Sequence, residues 1–252
     1  MLIMLTNDDG VSSPGLTALA ESLQGLGRVV IVAPDRNRSA IGHALTLESP
    51  LRAEEIRPGV FAIDGTPTDC VNLGIHGLMK EMPDLVVSGI NRGSNLGDDI
   101  TYSGTVCAAL EATLMGVPAF AVSLDCQHFL ADELKTAADF SRHLAVQIFQ
   151  YGLPDDTFLN VNVPAGTVTG ALLTRQGKRR YGDVVIRKED PRGRSYYWIG
   201  GGDLGFEDTP GSDFNALQGG KISVTPLHIN LTNEESLQTL AHWNIEQRLP
   251  ES

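Results

Sequence analysis

The chain has few cysteines, no long apolar run and fewer basic than acidic residues. Cys70, Cys107 and Cys126 are odd in number and lack C-x-x-C spacing, so reduced thiols are expected rather than a disulfide framework. The apolar runs are far shorter than the ~18–20 residues that span a bilayer. No basic region followed by an apolar segment and a small-residue cleavage site opens the sequence. We therefore expect a cytoplasmic protein with no membrane partner.

The shortage of basic residues also limits the class of partner. Lys and Arg number 19 against 31 Asp and Glu, which gives a formal net charge of −12. Because phosphate contacts with a polymer need clustered Lys and Arg, a nucleic acid is not expected as the main partner. A small phosphorylated substrate held through a metal is not excluded. The one dense basic cluster, residues 175–181, is interpreted mainly as a solvated turn, with contact to an anionic substrate as the alternative.

The 252 residues suffice for one large α/β core with a small appendage. Short apolar runs predict buried strands at 2–6, 29–33, 85–87, 119–122 and 158–163. Amphipathic stretches between them predict helices at 14–26, 67–79, 105–116 and 131–150. This alternation predicts a doubly wound, mostly parallel sheet.

Two segments depart from the alternation. Residues 34–66 are expected to form a smaller hairpin at the sheet edge. After the core, about residues 1–176, residues 177–220 predict a protruding β-hairpin arm with the aromatic run Tyr196-Tyr197-Trp198, followed by a closing strand and helix at about 221–247. Exposed aromatic residues on an arm are often an association surface.

The most informative motif is Asn7-Asp8-Asp9-Gly10, directly after the first predicted strand. Open α/β sheets bind ligands at the carboxyl ends of their strands. Adjacent carboxylates repel each other unless a cation or a shared proton offsets the charge, and oxygen ligands suit a hard divalent metal. The alternative is an Asx-rich turn without function, because Asn, Asp and Gly all favour turns.

Two further strand exits carry similar side chains. The strand at 29–33 leads into residues 34–40, and the strand at 85–87 leads into residues 88–99, which contain Asn91 and Asn95. In a parallel sheet these exits open on the same edge as Asp8 and Asp9. Oxygen-bearing side chains are therefore expected to converge there.

Tyr102-Ser103-Gly104-Thr105 opens a predicted helix close to that edge. Ser103 suits an N-cap, and the free amides of a helix start bind phosphate. An ordinary capped helix explains Ser103 equally well, but the acidic edge favours a phosphate site. His43 follows the second loop and is a candidate proton donor to a leaving group, with a purely structural role as the alternative.

Twelve motifs are distributed over the chain: Leu5–Gly10, Ala33–Asp35, Arg38–Ala40, Gly42–His43, Gly65–Pro67, Asp69–Val71, Ser88–Gly93, Tyr102–Val106, Asn160–Pro164, Thr174–Gln176, Thr225–Leu227 and Leu231–Asn233. Together these motifs resemble the SurE family of survival-protein nucleotidases.

The resemblance implies a metal-dependent phosphatase acting on nucleoside 5′- and 3′-monophosphates, and on short polyphosphates in some members. It implies one divalent cation, Mg²⁺ or Mn²⁺, per subunit. It also implies a Rossmann-like core with a carboxy-terminal extension that makes dimers and tetramers. The implied metal ligands are Asp8, Asp9, Ser39 and Asn91, and the implied phosphate site consists of Asn95, Ser103, Gly104 and Thr105.

In the proposed reaction Asp8 and Asp9 are also the catalytic pair: they hold the cation, and one of them orients or deprotonates the attacking water. Three other interpretations stay open. A phosphatase with an aspartyl-phosphate is disfavoured, because haloacid-dehalogenase-like enzymes space their two aspartates i, i+2. A receiver-like signalling domain is far shorter and needs a lysine after its fifth strand. A nucleotide-binding module without turnover would bind ligand and release no phosphate.

Overall fold

The structure is a computed structural model that describes residues 1–182, 185–200, 205–243 and 245. Its strands are β1 Leu2–Thr6, β2 Arg28–Pro34, β3 Ala53–Arg57, β4 Val60–Ile63, β5 Leu85–Arg92, β6 Ala119–Asp125, β7 Thr157–Pro164, β8 Ala171–Leu173, β9 Arg179–Arg180, β10 Val185–Glu189, β11 Ser195–Ile199, β12 Gly205–Phe206 and β13 Ile222–His228. Its α-helices are α1 Pro14–Leu23, α2 Pro67–Leu73, α3 Gly104–Leu114, α4 Ala131–Tyr151, α5 Asp213–Gln218 and α6 Glu234–Leu240.

The central sheet has the strand order β3-β4-β2-β1-β5-β6-β7-β13-β8. Strands β4, β2, β1, β5, β6 and β7 run parallel, whereas β3 and β13 are antiparallel to β4 and β7. The chain passes from β1 outward to β2 and later returns to β5 on the other side of β1. The switch point of the sheet therefore lies between β1 and β5, where open α/β sheets bind ligands.

Both faces of the sheet are covered by helices. One apolar cluster joins Ile3 and Leu5 of β1 to α1 and α4, and the other joins Leu2 and Met4 of β1 to α2 and α3. Successive side chains of a strand point to opposite faces, which is why the continuous apolar run of β1 serves two cores. The predicted doubly wound, mostly parallel α/β fold is confirmed.

The smaller hairpin predicted within residues 34–66 is present as β3 and β4 at the edge of the sheet. The helix predicted over 67–79 is shorter. It is capped by Thr66, ends at Leu73 and continues as a π-helical turn over Gly74–Leu78. Gly74 permits a close approach to β1, since a Cβ there would lie 2.6 Å from Cε of Met4.

The segment after the core differs in part from its prediction. A two-stranded hairpin, β10 and β11, lies within the predicted arm 177–220, and its exposed apolar side chains include Tyr197, Trp198 and Ile199. Helix α5, however, does not protrude: its Phe214 and Leu217 are buried against Leu96. A helix of this length shows too little periodicity to be recognised in the sequence. The closing strand is β13, and the closing helix is α6, while residues 244 and 246–252 lie outside the described part of the chain.

Two of the three cysteines are buried, and the side chain of Cys126 is partly exposed. Across the described residues, no helix combines the length and the apolar character that crossing a membrane requires.

Helix α1 approaches the end of β5 so closely that Gly15 is required. A Cβ on Gly15 would lie 2.1 Å from the carbonyl oxygen of Ile90. We expect Gly15→Ala to lower the free energy of unfolding by about 1–3 kcal/mol, although alanine has the better helix propensity. Urea unfolding measures this change.

Gly25→Ala is the matched control. Its added Cβ would meet the flexible end of Arg142, with Nη1 at 3.1 Å, so we expect a change within about 0.5 kcal/mol. Equal stabilities for Gly15→Ala and the wild type would contradict the packing described here.

Candidate active site

A rigid turn follows β1. Nδ2 of Asn7 donates to the carbonyl oxygen of Gly10 at 3.0 Å, and the amide of Gly10 donates to Oδ1 of Asn7 at 3.1 Å. Gly10 has φ +102°, a conformation that L side chains rarely adopt. The side chain of Asn7 is buried, and both its amide nitrogen and its oxygen are hydrogen-bonded within this turn. Asp8 and Asp9 are therefore the two residues of the turn whose carboxylates are available at the sheet edge.

Asp8 lies against the start of α3. Only 4% of Asp8 is exposed, and Oγ1 of Thr105 donates to its Oδ1. A Cβ on Gly104 would lie 2.9 Å from Cβ of Asp8 and 3.1 Å from Oδ2. Glycine at position 104 therefore allows the carboxylate to approach the helix start.

Burial raises the pKa of Asp8 to about 6. The hydrogen bond from Thr105 opposes this shift, and the neighbouring Asp9 adds to it. A buried acid with a perturbed pKa beside a second acid is typical of a functional site.

Asp9 is held by two loops. Its Oδ1 accepts from Nδ2 of Asn37 at 3.2 Å, and its Oδ2 accepts from the amide of Arg92 at 3.2 Å. Burial raises the pKa of Asp9, while the hydrogen bond and the charge of Arg92 lower it. The two adjacent acids thus have separate supports, which fix them side by side.

Asn37 also positions Ser39. Its Oδ1 accepts from both the amide and Oγ of Ser39, at 2.9 and 2.7 Å. The amide of Arg38 donates to the carbonyl oxygen of Asp8 at 2.7 Å, which joins this loop to the turn after β1. Asn37 was not among the residues predicted for the site. Its position in a strand exit rich in oxygen-bearing side chains was the one feature of the sequence that pointed to it.

Asn91 stands near the end of β5. The register between β5 and β6 shifts between Ser88 and Asn91. Nδ2 of Asn91 donates to the carbonyl oxygen of Gly93 at 2.9 Å, so its Oδ1 is the atom available as a ligand.

Asn95 is buried and anchored to β6 and β7. Its amide donates to Oδ1 of Asn162 at 2.7 Å, and its Nδ2 donates to Oγ of Ser123 at 2.8 Å. Its carbonyl oxygen accepts from Nδ2 of both Asn160 and Asn162. The role of these two asparagines was not foreseen, although they belong to one of the motifs that carry the family resemblance.

Ser103 caps α3. Its Oγ accepts from the amide of Val106 at 3.1 Å. Its Oγ only accepts in the cap, so the hydroxyl of Ser103 remains a donor at the helix start together with the backbone amides of the first turn.

These residues surround a cavity of about 290 Å³ at the switch point of the sheet. Its lining is Asp8, Ser39, Ala40, Asn91, Arg92, Asn95, Asp99, Tyr102 and Ser103. A larger cavity, of about 410 Å³, lies at the opposite end of the strands, between Thr113–Pro118 and Leu153–Thr157. We assign the site to the smaller cavity, because Asp8, Ser39, Asn91, Asn95 and Ser103 meet there, whereas Asp9, Gly104 and Thr105 lie outside its lining.

His43 lies outside the lining of this cavity. Its Nε2 is 2.7 Å from Oε2 of Glu111, and Oε1 of Glu111 accepts from Nδ2 of Asn72 at 3.1 Å. The hydrogen bond from His43 lowers the pKa of Glu111, although burial opposes the shift. Glu111, which the sequence analysis missed, therefore fixes the orientation of the imidazole ring.

The donor set at the cavity suits a hard divalent cation. Asp8, Ser39 and Asn91 line the cavity with one carboxylate and two neutral side chains that carry oxygen, and Asp9 is next to Asp8 in the chain but outside the lining. Within the described ranges, no group of three or more His, Cys, Asp or Glu is arranged to hold a metal. A cation here would therefore depend on the neutral oxygens and on water as well as on the two acids.

Comparison with known proteins identifies the family of the chain. A family model described as survival protein SurE matches residues 3–183. The 5′-nucleotidase SurE of Syntrophotalea carbinolica is 66% identical, over 97% of this chain and 98% of its own length. The 5′-nucleotidase SurE of Geobacter sulfurreducens is 59% identical, over 100% of this chain and 97% of its own length.

The crystal structure of the SurE protein from Aquifex aeolicus has the same fold. It superposes with a TM-score of 0.84 at 42% identity, covering 96% of this chain and 99% of that one. The resemblance found in the motifs is confirmed, and the chain belongs to the SurE family.

Proposed function

We propose that this chain hydrolyses nucleoside 5′- and 3′-monophosphates to nucleoside and phosphate. The observation that carries the proposal is the pair of adjacent acids, Asp8 and Asp9, held at the switch point beside the start of α3. Relatives that are 66% and 59% identical over nearly the whole chain are named 5′-nucleotidases, which supports this substrate class. Short polyphosphates are a secondary substrate in the proposal.

Asp8, Asp9, Ser39 and Asn91 would hold one Mg²⁺ or Mn²⁺. When bound, the cation supplies Lewis-acid polarisation of the phosphoryl group and acidifies water at the site. Two negative charges and two neutral oxygens leave the loaded site able to attract a dianion. One of the two acids orients or deprotonates the attacking water.

The phosphoryl group is proposed to sit between Asn95 and the start of α3. The amides of Gly104 and Thr105 belong to the first turn of α3, where the macrodipole favours an anion. Ser103 shapes this end of the cavity through its cap on Val106. Such fixed donors stabilise the charge that develops on the phosphoryl oxygens in the transition state.

His43 is proposed to deliver a proton to the leaving nucleoside oxygen. This proposal is supported by the contact between His43 and Glu111. The carboxylate of Glu111 holds the imidazole ring in one orientation, as a hydrogen-bonded carboxylate does for the histidine of a catalytic triad. The enzyme is further proposed to act in the cytoplasm as a homodimer or homotetramer. The exposed apolar side chains of the hairpin β10–β11, among them Trp198 and Ile199, support association.

Removing one acid tests the proposed metal site. We expect Asp9→Asn to keep the fold and to lower kcat with a nucleoside 5′-monophosphate at least about a hundredfold, because the Lewis-acid contribution is several kcal/mol. Asp139→Asn, an exposed change on α4, is the control and should keep wild-type activity. Wild-type turnover by Asp9→Asn in excess metal, or a covalent phosphate adduct on Asp8, would contradict the proposal.

Metal removal provides an independent test. Exhaustive chelation is expected to abolish phosphate release, and added Mn²⁺ or Mg²⁺ to restore it, because both carboxylates then lose or regain their counter-charge. Phosphate release is measured before and after dialysis against the chelator. Activity that survives metal depletion would be incompatible with the proposed site.

The role of His43 is tested with two leaving groups. We expect His43→Gln to lower kcat about a hundredfold with a nucleoside monophosphate, because the departing alkoxide needs a proton. With p-nitrophenyl phosphate, whose leaving group is stable as an anion, the loss should be less than about fivefold. Equal losses on both substrates would assign His43 a structural role.

A further inference from the structure

The cavity of about 290 Å³ at the switch point, in which the phosphoryl group is proposed to bind, is called the phosphate cavity. One of its walls is held in place by residues from a distant part of the chain. Asp99 lines the cavity, in a turn that spans Gly97–Tyr102 and leads directly into Ser103. Oδ2 of Asp99 accepts from Nε of Arg179 at 2.8 Å and also from Nη2 of the same guanidinium. Oδ1 of Asp99 accepts from the hydroxyl of Tyr181 at 2.8 Å.

Arg179 is itself fixed by packing. Its side chain is 13% exposed, and its guanidinium carbon lies 4.6 Å from the centre of the Phe214 ring. Phe214 in turn stacks on Phe206 with ring centres 4.8 Å apart. Stacking on an aromatic ring restricts the planar guanidinium of arginine, so its hydrogen bonds to Asp99 need little further ordering.

The same turn is tied down at its start. The amide of Gly97 donates to Oδ2 of Asp213 at 2.8 Å, and the amide of Gly177 donates to Oδ1 of Asp213 at 2.9 Å. Nε2 of Gln176 donates to the carbonyl oxygen of Gly97 at 3.1 Å. Hydrogen bonds from the segment 176–181 and from helix α5 therefore hold the turn at both Gly97 and Asp99.

The charge of Asp99 gives this arrangement a consequence for binding. A free carboxylate in the wall of a cavity that receives a phosphate dianion would repel the ligand. Arg179 offsets that charge, and Arg179 and Tyr181 together turn both oxygens of Asp99 toward the protein. The hydroxyl of Tyr181 is a donor at neutral pH, as in any tyrosine, and desolvation with the neighbouring Asp99 raises its pKa further, to about 12.

We propose that Arg179 is a positioning residue for the phosphate cavity, which orients and neutralises Asp99 so that the cavity accepts a phosphate dianion. The proposal rests on the proposed nucleotidase function for its substrate. It assigns a role to one member of the basic cluster 175–181, and that role is exerted through Asp99 rather than by direct contact with the phosphate.

The test is a double-mutant cycle with Arg179→Met, Asp99→Asn and the combined variant, in Mn²⁺-loaded protein. We expect Arg179→Met to raise KM for adenosine 5′-monophosphate about tenfold and to change kcat less than about threefold. The dissociation constant of Mn²⁺ should stay at its wild-type value. In the combined variant KM should return to within about threefold of Asp99→Asn alone, because the charge that needs Arg179 is gone.

Arg180→Met is the matched control, since it removes the same charge from an exposed neighbouring position. An unchanged KM in Arg179→Met, or a combined variant as impaired as Arg179→Met, overturns the proposal. If Arg179→Met does not fold, Arg179→Lys decides, because it keeps the charge but cannot make the paired hydrogen bonds of Nε and Nη2 to Asp99. We expect it to weaken phosphate binding about threefold, and an unchanged affinity overturns the proposal.

Calorimetric binding of inorganic phosphate to the Mn²⁺-loaded variants repeats the comparison without turnover. A wild-type chain that binds phosphate but hydrolyses no nucleoside monophosphate refutes the proposed function alone. Phosphate affinity that is equal in the wild type and Arg179→Met refutes the role of Arg179 alone.

Discussion

The site depends on two adjacent carboxylates held in a place where water cannot fully screen them. Asp8 is almost completely buried against the start of α3, and Asp9 is fixed beside it by Asn37 and the amide of Arg92. Burial raises the pKa of both acids, and the charge of Asp9 adds to the shift at Asp8, so two charged carboxylates are costly in this place. A divalent cation is the natural way to offset that cost, and the surrounding fold is arranged to keep the two acids in place.

Each neighbouring element contributes to this arrangement. The switch point between β1 and β5 brings three strand exits to one edge, and Gly104 lets α3 approach Asp8. Nδ2 of Asn37 donates to Asp9 on the exposed side of the site, and Nδ2 of both Asn160 and Asn162 donates to the carbonyl oxygen of Asn95 in its buried part. A network of this kind is specific because each buried polar group needs its own partner.

The sequence predicted the parts of the site that follow from the sheet itself. Because parallel strands end on one edge, Asp8, Asn91 and the loop of Ser39 could be expected to meet. The partners of these residues could not be foreseen, since Asn37 and Glu111 act through loop and side-chain contacts without a periodic pattern. Helix α5 escaped prediction for the same reason. Most of the cluster 175–181 is exposed as predicted, but Arg179 is largely covered because it stacks on Phe214, a contact between distant segments.

Asp8 and Asp9 are proposed to hold one cation together at this edge of the sheet. The most direct measurement is the anomalous scattering of manganese in crystals of the wild-type protein soaked in Mn²⁺. We predict a single strong peak in each subunit within coordination distance of both carboxylates and beside Asn91. A cavity without a peak, with the two carboxylates turned toward solvent, would show that Asp8 and Asp9 do not hold a cation.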